Sequence, residues 1–269
     1  MLQYQILETG FFYADGGAMF GAIPKKAWNR RYDCDDQNCC KMAMRCLLAW
    51  NDKKVILFDT GVGNKSLGKL TYYRFHDLKN ITELIHSCGF EPEQVTDVVL
   101  SHLHFDHCGG CTYQDETGTL KITFPNALHW FSKVQWENYL HPNYLEQDTF
   151  RKEDIMPVFE SGLVRLVEKE YSLCEGLRFE PYDGHTDGQL VVVLETGDGK
   201  IVCPGDVIPT KAHCSIDWLS AYDIRPLCSI DAKNRLMKET EDTTGFMIFY
   251  HDAYNKAIPF GTPSICIKK

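Results

Sequence analysis

The chain has 269 residues, 44% of them hydrophobic and 24% charged, with a formal net charge of −9. That apolar content is enough for one large core, and a diffuse acidic surface disfavours nucleic acid or anionic membrane as a partner. Apolar runs such as "LVVVL" (Leu190–Leu194) are far too short to span a bilayer, and "MLQYQILETG" at the N-terminus lacks the basic-then-apolar order of a signal peptide. No linker-like stretch, repeat or low-complexity segment divides the chain. One domain over residues 1–269 in a cytoplasmic protein is the expectation.

In chain order, "KMAMRCLLAW" and "KKVILFDTG" are apolar runs separated by Asn51-Asp52, which predicts a strand hairpin. "NITELIHSCG" places Ile81, Leu84 and Ile85 at helical spacing, with Asn80 as cap and Gly89 as stop. "VTDVVLS" then predicts a buried strand. "QLVVVLETGDGKIVCPGD" predicts two strands around Gly197-Asp198-Gly199. "FMIFYHD" and "PSICIKK" predict two more. Strands apolar on both faces need cover on both sides, which predicts an α/β fold with two packed sheets and helices outside, a four-layer αββα sandwich. Polar residues recur just past strand ends, at Asp59, His102, Asp206 and His251, where rigid scaffolds hold functional groups.

Twelve cysteines are many, but a chain of this size needs no disulfides and free thiols are expected. Cys34, Cys39 and Cys40 lack the second pair that a structural zinc site would need. Cys108 and Cys111 form a CxxC inside a histidine-rich segment and read as structural rather than redox-active.

That segment is "SHLHFDHCGG", Ser101 to Gly110. In extended chain, His102 and His104 point to one side with Leu103 turned toward the core. Asp106 is expected to keep that period, and His107 to swing round as the chain turns. Two imidazoles begin one metal site, and a carboxylate with a third imidazole begins another. One cation rarely needs so many ligands; two would. The remaining ligands are expected from "GHTDGQ" (His185), "CPGDVI" (Asp206) and "FYHDA" (His251).

His102-x-His104-x-Asp106-His107, followed by His185, Asp206 and His251, resembles the metallo-β-lactamase superfamily over nearly the full chain. The resemblance implies that His102, His104 and His185 hold a first metal, that Asp106, His107 and His251 hold a second, and that Asp206 bridges both. Asp59, in "FDTG", would orient a ligand imidazole. The implied cofactor is two zinc ions, with manganese, iron or cobalt as alternatives. Two cations sharing a solvent molecule bring its pKa toward ~7, so hydrolysis needs no serine or cysteine nucleophile.

Within the superfamily, exported zinc β-lactamases carry Cys where this chain has Asp206, and flavodiiron reductases carry Glu where His104 stands. Nucleases usually add a basic surface, and glyoxalase II adds a C-terminal helical extension that is not evident here. "GGAMFGAIPKKAW" (Gly16–Trp28) and the region Asp206–Pro226 resemble the lactonase-like and organophosphate-hydrolase-like branch, in which a loop such as that of Met19 and Phe20 lies over the site. Lactonases of this type carry a tyrosine three residues after the bridging Asp; here that residue is Pro209, and Tyr222 is the candidate to supply the hydroxyl. The expected activity is hydrolysis of a small-molecule ester, lactone or phosphotriester, with Asp106, Asp206 and Tyr222 as catalytic residues. A glyoxalase II-like thioesterase and a catalytically silent metal-binding sensor are the alternatives, and assembly as a homodimer stays open.

Overall fold

The alternation of apolar residues resolves into two six-stranded sheets in a computed structural model, which describes residues 1–260 apart from Ser66, Asp198 and Asp242. The strand expected at "PSICIKK" and the centre of the Gly197–Gly199 turn lie outside the described residues. The first half contributes β1 (Gln3–Asp15), β2 (Cys39–Trp50), β3 (Val55–Phe58) and β4 (Asp97–Val99), then a separate hairpin of β5 (Thr112–Gln114) and β6 (Leu120–Ile122), then β7 (Leu128–Ser132) and β8 (Val164–Val167). The large sheet runs β1-β2-β3-β4-β7-β8. The second half contributes β9 (Tyr171–Cys174), β10 (Leu177–Tyr182), β11 (Gln189–Thr196), β12 (Gly199–Cys203), β13 (Gly245–Ile248) and β14 (Ala257–Pro259). They pair as β14-β13-β12-β11-β10-β9.

Period-two alternation sorts each strand between two cores. Leu47, Ile56, Phe58 and Val99 face Phe179, Leu190, Val192 and Leu194 of the opposite sheet. Their neighbours Leu48, Leu57 and Val98 point outward, onto α3 (Ile81–Ser87), α5 (Lys133–Leu140) and α6 (Lys152–Glu160). On the far side Val191, Val193 and Val202 meet Ala232 and Leu236 of α7 (Pro226–Thr240). The four-layer sandwich follows from that sorting. Burying each such Leu or Val stabilises by about 1.5–3 kcal/mol, so a one-residue slip in register would be prohibitive.

The hairpin at Asn51, the Asn80-capped helix and the strand before the histidines fall where the sequence predicts them. Asn51 Oδ1 accepts from the Lys53 and Lys54 amides at 2.9 and 3.0 Å, and Asn80 Oδ1 accepts from the Thr82 amide at 3.1 Å. The 13-residue β1 was not evident in the sequence. Its register against β2 shifts between Glu8 and Gly10, and such a bulge switches the parity of inward residues midway. Beyond it, Phe12 and Ala14 join a fourth apolar cluster with α1 (Gly16–Phe20) and α2 (Lys25–Trp28). All eleven described cysteines are free thiols.

One buried group gives the fold a pH dependence. His129 on β7 is fully buried; its Nδ1 lies 3.1 Å from the Ala127 carbonyl, and its Nε2 has no partner among the described residues. Burial pushes this imidazole down to about 4, below the ~6.5 of an unfolded histidine. Its contribution is therefore complete above pH ~6.5 and is lost as pH falls toward the folded value. Urea denaturation at pH 7 and pH 5 should show a loss of about 2 kcal/mol from this residue, and His129→Gln should flatten the pH dependence by that amount.

Candidate metal centre and its pocket

β4 ends at Val99, and at His104 the backbone is extended, with φ and ψ of −67° and 147°. There the expected period breaks. The amides of His107 and Cys108 both donate to the His104 carbonyl at 3.0 Å, winding one helical turn, α4 (Phe105–Cys108). Asp106 and His107 thus project from a helix, and Asp106 does not continue the strand alternation. The glycines that follow are required by a close approach: a Cβ on Gly110 would lie 2.3 Å from the Thr60 carbonyl oxygen, and one on Gly109 2.3 Å from that of Val62. Cys108 and Cys111 are buried beneath the turn, with Cys108 Sγ 3.3 Å from the Leu103 carbonyl. A buried ion pair, Lys65 with Asp154 at 3.0 Å, lies under the same turn, and Lys65 also donates to the carbonyls of Gly109 and Thr112.

All seven residues singled out as ligands meet at this end of the sandwich. His102 Nε2 lies 3.0 Å from His104 Nδ1, which lies 3.2 Å from His185 Nε2. In the second group His107 Nε2 is 3.3 Å from His251 Nε2, and Asp106 Oδ2 is 3.5 Å from the latter. Asp206 stands between them. Its Oδ2 is 3.3 Å from His185 Nε2, while its Oδ1 is 3.3 Å from His251 Nε2 and 3.6 Å from His107 Nε2. Ligands held ~2.0–2.1 Å from a tetrahedral ion lie about 3.3 Å apart, so the spacing fits metal coordination.

The outward nitrogen of every imidazole is anchored. Asp59 Oδ2 is 2.9 Å from His107 Nδ1, and Ser101 Oγ, which donates to Asp59, is 3.0 Å from His102 Nδ1. Glu146 Oε1 is 3.1 Å from His104 Nε2, Asp223 Oδ1 is 3.2 Å from His185 Nδ1, and the Ala43 carbonyl is 2.9 Å from His251 Nδ1. Acceptors outside fix the protons there and leave lone pairs pointing inward at one another, an arrangement that a cation relieves. The buried Asp206 Oδ1 has no hydrogen-bond partner among the described residues. The donor set and its geometry fit a divalent metal site.

Charge balance points the same way. Burial alone would raise the Asp206 carboxyl, but His251, His107 and His185 hold it well below the usual carboxylate range. Burial would lower His107, yet Asp106, Asp206 and Asp59 push it well above the usual histidine range. Burial and the neighbouring imidazoles His107 and His104 press His102 well below it. Asp206 thus stays an ionised carboxylate and His102 a neutral imidazole with a free lone pair, the states in which these side chains bind a metal.

Ser101, Glu146 and Asp223 were missed in the sequence. Glu146 sits in the loop "NYLEQDTF" and Asp223 directly after Tyr222, at no fixed spacing from the histidines they hold. Asp59 was legible and does contact an imidazole, with φ of +54°.

A pocket of about 80 Å³ opens over the cluster, lined by His104, Asp106, His185, Asp206 and His251 and walled by Phe12, Met19, Tyr73, Phe105, Pro209 and Tyr222. Tyr222 is 40% exposed at its mouth. Phe20 and Trp28 take no part in it: Phe20 stacks on Trp28 and on His213, each at 5.0 Å, as core packing. A larger groove of about 910 Å³ lies elsewhere, along α3 and the β5–β6 hairpin, and includes none of the seven ligand candidates.

Two packed sheets with clustered His and Asp side chains at one end define a metal-dependent hydrolase. The model of the metallo-β-lactamase superfamily matches residues 45–251, and the chain belongs to that superfamily. It is similar to the N-acyl homoserine lactonase AiiA of Bacillus thuringiensis subsp. kurstaki, with 25% identity over 219 residues, covering 77% of this chain and 80% of that protein. Among solved structures it is similar to one described as a probable metal-dependent hydrolase from Staphylococcus aureus, at 27% identity and a TM-score of 0.89, covering 98% of this chain and 94% of that one. The dizinc quorum-quenching lactonase AidC has the same fold at 21% identity and a TM-score of 0.73, covering 95% and 89%. No helix among the described residues is long and apolar enough to cross a membrane.

The anchoring of His107 is open to measurement. Asp59→Ala leaves His107 Nδ1 without its carboxylate, and affinity for added zinc, measured by chelator competition, should fall about 10–100-fold. Asp59→Asn, which keeps an acceptor oxygen, should lose less.

Proposed function

We propose that the protein is a dinuclear zinc hydrolase acting as one domain over residues 1–269 on small uncharged esters, lactones or phosphotriesters. One observation carries this reading: the two oxygens of Asp206 face separate histidine groups at the floor of a pocket. His102, His104 and His185 would hold one ion, and Asp106, His107 and His251 the other, with Asp206 shared. When bound, such ions lower the pKa of a shared solvent molecule and polarise the scissile carbonyl or phosphoryl oxygen.

The chain's own groups supply the rest. Asp106 offers the acceptor for the proton that the attacking water loses. Phe12, Met19, Tyr73 and Phe105 wall the pocket with apolar surface, which limits competing water around the ester. The described lining carries acidic and apolar groups and no lysine or arginine, which favours neutral substrates over anionic thioesters. The lactonase names of the relatives and the dizinc fold neighbour support the same class.

Position 209 separates this chain from a dedicated signal lactonase. Pro209 lines the pocket and has no donor; its carbonyl accepts the His251 amide at 3.1 Å. A missing donor to developing charge costs roughly a hundredfold in rate. Tyr222 at the pocket mouth is the phenol available to supply part of that contact, short of what a tyrosine at position 209 would give.

Metal analysis of protein purified without chelator should approach two ions per chain, and Asp206→Ala should lower that count and cut hydrolysis by at least about a hundredfold. One ion per chain with full activity would overturn the dinuclear assignment, and bound metal with no turnover on any ester, lactone or phosphotriester would favour a sensor.

A substrate panel tests position 209. Activated aryl esters, simple lactones and phosphotriesters should be turned over with no special preference for acyl-homoserine lactones, and Pro209→Tyr should raise lactone kcat/KM selectively. A strong wild-type preference for acyl-homoserine lactones that the tyrosine leaves unchanged would count against this account of the pocket.

A further inference from the structure

The pocket is poor in hydrogen-bond donors, and two of its four hydroxyls are already engaged. Ser220 Oγ donates to the Ala18 carbonyl at 3.1 Å and Thr149 Oγ1 to the Glu146 carbonyl at 2.6 Å. Two phenols remain, those of Tyr73 and Tyr222, and neither has a hydrogen-bond partner among the described residues. Tyr73 follows β3 by fifteen residues, in a single turn (Thr71–Tyr73), while Tyr222 comes from the loop before α7. They reach one small pocket from distant parts of the chain.

The packing around Tyr73 fixes its place. Its ring lies 6.0 Å from Phe12 and 5.4 Å from Phe105. Phe12 in turn meets His251 edge-on at 5.3 Å, and Phe105 immediately precedes Asp106. The ring is thus clamped beside the metal-centre residues while its hydroxyl stays uncommitted. Tyr222 is fixed through its backbone, which donates to Ser220 Oγ at 3.1 Å beside an Ala221–Ala18 hydrogen bond of 2.8 Å.

We propose that Tyr73 is a catalytic residue that works with Tyr222 as a pair of phenol donors to the leaving oxygen of the substrate, in the place left by Pro209. The proposal rests on the hydrolase reading above. Hydrolysis adds one water across the acyl C–O bond. The water oxygen bonds to the acyl carbon, and the C–O bond breaks with its electron pair left on the leaving oxygen. One water proton ends on that oxygen, and the other is released as the acid ionises. The phenols donate hydrogen bonds to the leaving oxygen while it is negative and keep their own protons. The ordinary phenol pKa of ~10 keeps both as neutral donors across the working pH, and burial raises Tyr73 further.

A donor to the leaving oxygen matters most when that oxygen is a poor leaving group. The test therefore compares an alkyl lactone, an alkyl ester and a 4-nitrophenyl ester in wild type, Tyr73→Phe, Tyr222→Phe and the double variant, with Tyr72→Phe as a control. Tyr73→Phe should lower kcat/KM about tenfold or more on the alkyl substrates and less than about threefold on the nitrophenyl ester, with metal content unchanged. Tyr72, 69% exposed and outside the pocket lining, should be indifferent. Loss that is equal across leaving groups, or no loss, overturns the assignment.

A second readout does not require turnover. Calorimetry should show the ring-opened hydroxy acid, whose alcohol is the former leaving oxygen, binding several-fold more weakly to Tyr73→Phe. Product binding that ignores Tyr73 overturns the phenol pair even if the enzyme is active. A wild type that hydrolyses nothing but binds the hydroxy acid in a Tyr73-dependent way overturns the hydrolase reading and leaves the phenol contact standing.

Discussion

The site depends on the crowding of imidazole lone pairs around one carboxylate. His104 lies 3.0 Å from His102 and 3.2 Å from His185, His107 lies 3.3 Å from His251, and Asp206 stands between the groups with one buried oxygen lacking a hydrogen-bond partner among the described residues. Uncompensated, such an arrangement is costly, because buried polar atoms need partners. Much of the surrounding structure serves to hold it in place. Acceptors on the far side of each ring keep the lone pairs inward, the Lys65–Asp154 pair braces the turn below, and the sandwich supplies rigid strand ends to carry the ligands.

That rigidity links the fold to the chemistry. Residues from β2, from the β3 and β4 ends, from the loops after β10 and β12, and from beyond β13 all reach one end of the sandwich. The anchoring contacts cross the same distances: Asp59 follows β3 and holds a histidine that follows β4, while the Ala43 carbonyl on β2 holds His251. A metal centre built across two sheets also ties them together. Metal binding and the stability of this end of the fold are thus coupled in one network.

The substrate pocket is a separate layer of design. Its walls come mostly from β1, α1 and connecting loops, outside the strand ends that carry the ligands. The loop segments among them tolerate change better than the core does, so substrate preference can shift while the metal centre stays fixed. Pro209 illustrates this. It sits three residues after Asp206, in hydrogen-bond contact with the His251 backbone, yet its side chain faces a pocket whose other walls come from residues far away in the chain.

The clustered residues and the sandwich were legible in the sequence because both rest on local pattern. The His102-x-His104-x-Asp106-His107 spacing, the glycine pair and the two-sided apolar strands each show within a short window, and the other members of the cluster follow recognisable strand ends. Even there, the helical turn that carries Asp106 depended on tertiary packing of Gly109 and Gly110 against Thr60 and Val62. Ser101, Glu146 and Asp223 were not legible as imidazole anchors, nor Tyr73 as a pocket residue. The bulge in β1 likewise hid a long strand. A carboxylate 42 residues from its histidine, or a phenol brought in by a lone turn, carries no periodicity and no spacing. Its role exists only once the sheets have packed, because a hydrogen bond or a pocket wall is a relation in space between segments that the order of residues leaves far apart.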